Sequence, residues 1–209
     1  MLNVIMCFNI SGKNLTTLKG IDFPDGITEL DCSENSLRSL KYCPNSLEYL
    51  HCSNNLLTSL QYSPNSVTYL DCSNNSLTSL QYCLNSVTYL DCHKNSLTSL
   101  QYCPNSVTNL YCYNNSLISL EYCPNSVTCL ISDNNPLSSE YRNKTLQEIH
   151  EINTLKSYKL GIHKLNSMIF SIKIQRTWKK YWYDELDDNG INRYCKFALD
   201  QARQDGTVM

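Results

Sequence analysis

Twelve cysteines and four histidines are the residues of this 209-residue chain with the most chemistry to offer. Thiols cross-link, hold zinc, or attack as thiolates, and spacing decides among these roles. Nine of the twelve lie on two registers at multiples of 20 residues: Cys32, Cys52, Cys72, Cys92 and Cys112 on one, Cys43, Cys83, Cys103 and Cys123 on the other. No Cys-x-x-Cys pair exists, so the spacing of a zinc site is missing. Ser63 and Ser132 replace cysteine in one turn each. A bridge would not survive that exchange, whereas a small packed side chain would. Cysteine here reads as a small hydrophobe. Cys129 sits on neither register, and His51 and His93 lie too many turns away in register to form a dyad with it. With no phosphate loop and no paired carboxylates, the expectation is no catalytic residue, no metal and no cofactor.

The same 20-residue step runs through the rest of the chain. The block Ser66 to Leu77 recurs as Ser86 to Leu97 and Ser106 to Leu117, with looser copies from Gly26, Ser46 and Ser126. A fixed period of this length is the mark of a solenoid, whose units are too small to bury an apolar face alone. Each turn fits the pattern LxxLxCxxNxL. The stretch Leu70-Asp71-Cys72 alternates as a strand does, with Leu70 and Cys72 to one side and Asp71 to the other. Inward ladders follow: Ile27, Leu47, Val67, Val87, Val107, Val127; Leu30 to Leu130; Leu37 to Leu137; Leu40 to Leu120. Asn35, Asn55, Asn75, Asn95, Asn115 and Asn135 form a further ladder where the chain leaves each strand. Backbone groups lose their sheet partners there, and a side-chain amide can both donate to and accept from them. Pro44, Pro64, Pro104 and Pro124 exclude a helix from the return path and predict an extended convex side, studded by Tyr42, Tyr62, Tyr82, Tyr102 and Tyr122.

The outward strand registers gather the candidate binding residues on the concave face: Tyr49, Tyr69 and Tyr89 beside His51, Asp71, Asp91 and Tyr111, with His93 and Tyr113 on the next register. Tyrosine is enriched at the energetic centres of interfaces, and the aspartates favour a basic partner. Asn109, Tyr111 and Tyr113 depart from the repeated pattern, so a footprint centred on them is expected.

The repeat resembles the short leucine-rich repeats of bacterial type III secretion effectors and of repeat proteins encoded by giant viruses, over residues 23–139. The resemblance implies an α/β leucine-rich repeat solenoid and a viral or effector protein. Those effectors join their repeats to a large ubiquitin-ligase domain with a catalytic cysteine. The 69 residues that follow the repeats here are too few for it, so no activity is carried over.

Domain organisation reads as a degenerate N-terminal capping repeat over 1–22, six repeats over 23–140, and a helical cap or tail over 141–209. In the first of these, Phe8, Ile10, Leu15 and Leu18 take the registers of Leu30, Cys32, Leu37 and Leu40 at an offset of 22. In the last, Leu146, Ile149, Ile152 and Leu155 mark one helix face. Gly161 predicts a break, followed by a second helical run with Leu165, Met168, Ile169, Ile172, Trp178 and Trp182. A third helix is expected from Ile191. Ile174-Gln175-Arg176-Thr177-Trp178-Lys179 resembles the first half of an IQ motif, although Lys180 and Asp184 depart from its second half. That resemblance implies a calmodulin-like partner, with Ile174 as apolar anchor, Gln175 as polar contact, and Trp178, Lys179 and Trp182 beside them.

Net charge is −2, divided between acidic repeats (−6 over 1–140) and a basic tail (+4 over 141–209). The N-terminus has no basic leader, and no run approaches the roughly 18 apolar residues of a membrane span. Free thiols, a reducing cytoplasmic compartment and, for a viral or effector protein, the host cytoplasm are the expectation. The functional expectation is a non-catalytic module that recognises a protein or peptide on the concave face. The alternative is an adaptor docking a calmodulin-like protein through the tail helix. Neither a small-molecule substrate nor nucleic acid is an expected partner.

Overall fold

The computed structural model describes the backbone of residues 6–183 and the side chains of 6–165 and 167–173. The helix expected from Ile191 lies outside the described residues. Seven three-residue strands follow one another in a single parallel sheet: β1 (Cys7–Asn9), β2 (Glu29–Asp31), β3 (Tyr49–His51), β4 (Tyr69–Asp71), β5 (Tyr89–Asp91), β6 (Asn109–Tyr111) and β7 (Cys129–Ile131). Spatial order equals chain order, and each strand sits one period beyond the last. The first pairing alone uses the longer step, with Phe8 opposite Leu30. Each strand of the repeats starts one residue earlier than the alternation suggested, because the residue before the leucine, Tyr69 in β4, also joins the ladder.

Behind the strands lies one thin core. Ile27, Leu47, Val67, Val87 and Val107 are fully buried, as are Leu30 to Leu110 and Cys32, Cys52, Cys72, Cys92 and Cys112. Each buried leucine or valine contributes about 1.5–3 kcal/mol, offset by the entropy of ordering the chain. No turn owns a complete core, so each is stable only against its neighbours.

Polar ladders stitch the turns together. Asn75 Nδ2 donates to Cys52 O of the preceding turn (3.0 Å) and to Cys72 O and Ser73 O of its own (3.1 Å each), while its Oδ1 accepts from Leu57 N–H (2.9 Å). Asn55, Asn95, Asn115 and Asn135 repeat the arrangement. Asn35 extends it to the capping turn by donating to Ile10 O. A second ladder escaped the sequence reading. Ser46, Ser66, Ser86, Ser106 and Ser126 each donate Oγ–H to a carbonyl of the turn before, at 2.6–2.7 Å.

The return path carries no helix, and it is bent rather than straight. Cys43 N–H donates to Leu40 O (3.0 Å) across a tight turn whose third residue, Tyr42, has φ +78°. Tyr62, Tyr82 and Tyr102 repeat this left-handed conformation at φ 72–76°. It costs an L-residue about 1–2 kcal/mol. Gly20 holds the equivalent place in the capping turn, at φ +81°.

The periodicity stops at Leu137. Tyr141 is buried, and its Oη donates to Asn153 Oδ1 (3.0 Å). Asn153 Nδ2 reaches back to Leu120 O (2.8 Å). Asn153 lies in α1 (Leu146–Tyr183), and Tyr141 in the turn before it; the helix opens on a capping box. Thr145 Oγ1 accepts from Glu148 N–H, and the Glu148 carboxylate accepts from Thr145 N–H (2.8 Å) and Lys144 Nζ (2.7 Å). Lys144, then Thr145, hold the Glu148 carboxyl down at about 2. Ile149 is buried with Leu146 and Ile152 packed against the repeat core, whereas Leu155 is 62 % exposed.

Compact units divide between Leu155 and Lys156. The described part of the second unit is helix throughout. Gly161 does not interrupt it: one glycine costs a helix only about 1 kcal/mol, and no stop signal accompanies it. Among the described residues no helix is long and apolar enough to cross a membrane.

Asn75→Ala removes four hydrogen bonds spanning two turns and leaves the Leu57 N–H unmet, while Cys52 O, Cys72 O and Ser73 O each keep one other donor. A loss of about 2–4 kcal/mol is expected in urea unfolding. A loss no larger than that of exposed Thr78→Ala would contradict the ladder's role.

Candidate functional site

Outward positions of the strands build one continuous aromatic row. The pleat sends Leu50, Leu70 and Leu90 to the core and the flanking residues to the opposite face. Pairing then aligns Tyr49 with Tyr69 and Tyr69 with Tyr89. Tyr69 and Tyr89 stack face to face, centroids 4.2 Å apart and planes 8° apart, while Tyr49 tilts on Tyr69 at 6.0 Å. Asn109 interrupts the column, but Tyr111 reaches over from the neighbouring register to meet Tyr89 at 5.3 Å. The row is therefore Tyr49–Tyr69–Tyr89–Tyr111, with His51 packed on Tyr69 at 5.0 Å.

A second row lies beside it. His93 stacks on Tyr113 at 4.3 Å and 7°. His93 Nδ1 is 2.7 Å from Asp91 Oδ1, and its Nε2 is 3.4 Å from Asn74 Nδ2. Asn74 can only donate through that nitrogen, which assigns the ring proton to Nδ1, donating to Asp91. Asp71 accepts from Ser73 N–H (3.0 Å), and Asp31 accepts from the Ser33 N–H and hydroxyl. His51 Nε2 lies 3.6 Å from Glu29 Oε1. The sequence reading missed the Asp91–His93 pair. Its signal was present, because residues two apart on a strand share a face.

A histidine oriented by an aspartate is also a component of general-base sites. Here its second nitrogen is engaged by Asn74, and among the described residues no hydroxyl or thiol lies within hydrogen-bond reach of it. The pair orders the aromatic surface. Cys129 Sγ lies 3.9 Å from Tyr111 Oη.

Burial pushes the phenol of Tyr89 up to about 12, with the Tyr69 contact adding to the effect, and raises Tyr69 and Tyr113 as well. Tyr111 is raised chiefly by its contact with Cys129. These hydroxyls stay protonated near neutral pH, so the fixed charge of the face comes from its carboxylates.

Beneath it the thiols of the two cysteine registers are buried or, at Cys43, Cys83 and Cys103, half-buried, and are poor nucleophiles. Desolvation pushes Cys43, Cys83 and Cys123 up to about 12, and Cys32, Cys52, Cys72, Cys92, Cys103 and Cys112 strongly upward. The eleven described cysteines carry no disulfide. Among the described residues no group of three or more His, Cys, Asp or Glu side chains could hold a metal ion. The backbone of Ile174, Gln175, Trp178, Lys179 and Trp182 lies in α1, and their side chains lie outside the described residues.

Among solved structures, the chain is similar to YopM from Yersinia enterocolitica WA-314, with 33 % identity and a TM-score of 0.51 over 56 % of this chain and 26 % of that one. It also aligns with YopM of Yersinia pestis, described as a leucine-rich effector protein, at 28 % identity and a TM-score of 0.46, over 56 % and 33 % of the two chains. This chain has the leucine-rich repeat fold. It spans about a quarter of the first YopM chain and a third of the second. No family model matches the chain, and no curated protein matches it in sequence.

Folded thiols hold their protons where unfolded ones, ionising near 9.0, release them. The unfolded state then binds fewer protons, so stability is full below about pH 8 and falls as pH rises past 9. The urea midpoint should drop between pH 7 and pH 10, and an unchanged midpoint would contradict the burial of the thiols.

Proposed function

We propose that the repeats form a non-catalytic protein-interaction module that recognises a protein or peptide on the concave strand face. The observation that carries this reading is the unbroken ring row Tyr49–Tyr69–Tyr89–Tyr111 with Asp71 and Asp91 alongside. Parallel strands fix these side chains in advance, which lowers the ordering cost of binding. Stacked rings offer apolar faces and cation-binding surface, and the carboxylates add attraction for lysine or arginine. The partner therefore presents a basic, extended surface. Likeness to YopM supports an interaction scaffold. The absence of disulfides among the described cysteines suits a reducing compartment, the cytoplasm, and a host cytoplasm for an effector-like protein.

The second reading, an adaptor for a calmodulin-like protein, rests on the IQ-like residues Ile174, Gln175, Trp178, Lys179 and Trp182. Its support is that this segment is helical, as such docking requires.

Centrally placed tyrosines carry about 2 kcal/mol or more in comparable interfaces, so Tyr89→Ala and Tyr111→Ala should each weaken a captured partner roughly thirtyfold in equilibrium titration. The convex variant Tyr102→Ala serves as control and should bind as the unaltered protein does. Equal affinity for the concave variants and the control would refute the assignment. Binding that needs calcium and survives the concave substitutions would favour the tail.

A further inference from the structure

The hydrogen-bond pattern that joins the turns does not end with a closed edge. At each internal step the carbonyl of the residue before the strand receives two amides of the next turn: Thr88 O accepts from Thr108 N–H (2.8 Å) and Asn109 N–H (3.2 Å), and Thr108 O accepts from Thr128 N–H (2.8 Å) and Cys129 N–H (3.1 Å). The serine hydroxyl of the next turn covers the carbonyl just before it, as Ser126 covers Val107 O (2.7 Å). Cysteine amides donate onward in turn, as Cys112 N–H does to Ile131 O (2.8 Å). On β7 the equivalent groups are Val127 O, Thr128 O, Leu130 N–H and Ser132 N–H, and among the described residues β7 pairs with β6 alone. Leu130, whose counterparts in the five preceding turns are 0–1 % exposed, is only half-buried, and Ile131 is 38 % exposed.

A groove of about 730 Å³ opens beside this edge, lined among others by Asn125, Val127, Thr128, Leu146, His150 and Leu155. His150 lines it, and its Nε2 is buried without a hydrogen-bond partner among the described residues. A buried polar nitrogen left unmet is costly and signals a missing partner. Tyr141 and Ile149 already close the core end, so a whole further turn cannot stack there.

We propose that the β7 edge and the adjoining groove form a second binding site, which takes an extended peptide as an eighth parallel strand. The ladder prescribes its chemistry: a hydroxyl residue to cover Val127 O, an apolar residue next to enter the groove, and two successive amides to donate to Thr128 O. A polar group of the peptide supplies the partner of His150 Nε2. Main-chain pairing provides the attachment and the groove provides selection, as in other strand-addition complexes. This site is separate from the concave row, so either can fail without the other.

The repeat itself supplies the probe, a synthetic peptide Asn-Ser-Val-Thr-Tyr-Leu-Asp copied from residues 85–91. Mixed with the full chain, it should slow hydrogen exchange at the Leu130 and Ser132 amides and leave Leu70 and Leu90 unchanged. By the register of the turns, the peptide's tyrosine amide faces β7 and its leucine amide faces away. N-methylation at the tyrosine should abolish the protection, and N-methylation at the leucine should preserve it. His150→Phe, which keeps the ring and removes the nitrogens, should weaken the peptide fivefold or more, while Tyr69→Ala should not weaken it. No protection at Leu130 and Ser132, or equal binding of the two methylated peptides, would overturn the proposal. Protection that appears without peptide and grows with protein concentration would name a second copy as the occupant and overturn it as well.

Discussion

The amide of the asparagine that ends each strand is the interaction on which the rest of this structure depends. The chain must bend there to stay in a flat coil, and bending strips backbone groups of sheet partners in a place too enclosed for water. One side chain, donating to carbonyls of two turns and accepting from the turn before, removes that penalty. It also fixes the step between turns, since Asn75 reaches Cys52 O and Leu57 N–H only when the turns are in register. Ser86 Oγ does the same on the opposite side of the strand, against Val67 O. Between these two polar seams the core needs only one apolar side chain per register, which is why a cysteine suffices under each strand.

Much of this was legible because a period converts sequence distance into spatial distance. Once Leu50, Leu70 and Leu90 are placed one above another, every other register follows, including the longer first step that sets Phe8 on Leu30. Departures from the reading come from features that periodicity does not encode. The left-handed φ of Tyr42, Tyr62, Tyr82 and Tyr102 is imposed by a tight turn that a tyrosine would not be expected to accept. Gly161 sits inside a continuous helix because neighbouring residues sustain it. Tyr141 and Asn153, which close the last turn, belong to no repeat, so nothing aligned them with Leu120.

The candidate site shows the same division. That Tyr69 and Tyr89 would share a column was readable from the period. That Tyr111 would leave its own register to continue the row past Asn109 was not, because side-chain direction answers to the neighbours' volume. The Asp91–His93–Tyr113 cluster arises where the copies diverge, since the three preceding turns carry serine at the His93 position and the two that follow carry Tyr113 and Asp133. Duplication supplies the rigid scaffold, and the later turns carry the residues that distinguish one part of the face from another. The acidic strand face and the basic tail segregate the charge in the same way.

Because the register of the ladders is the foundation, removing one period tests the account most directly. Deleting residues 76–95 joins Asn75 to Ser96 and preserves every ladder, whereas deleting 76–85 joins Asn75 to Ser86 and throws the following turns out of step. Unfolding followed by circular dichroism should show a cooperative transition for the first variant, at somewhat lower stability, and none for the second. Equal loss of cooperative folding in both would contradict a structure held by turn-to-turn register.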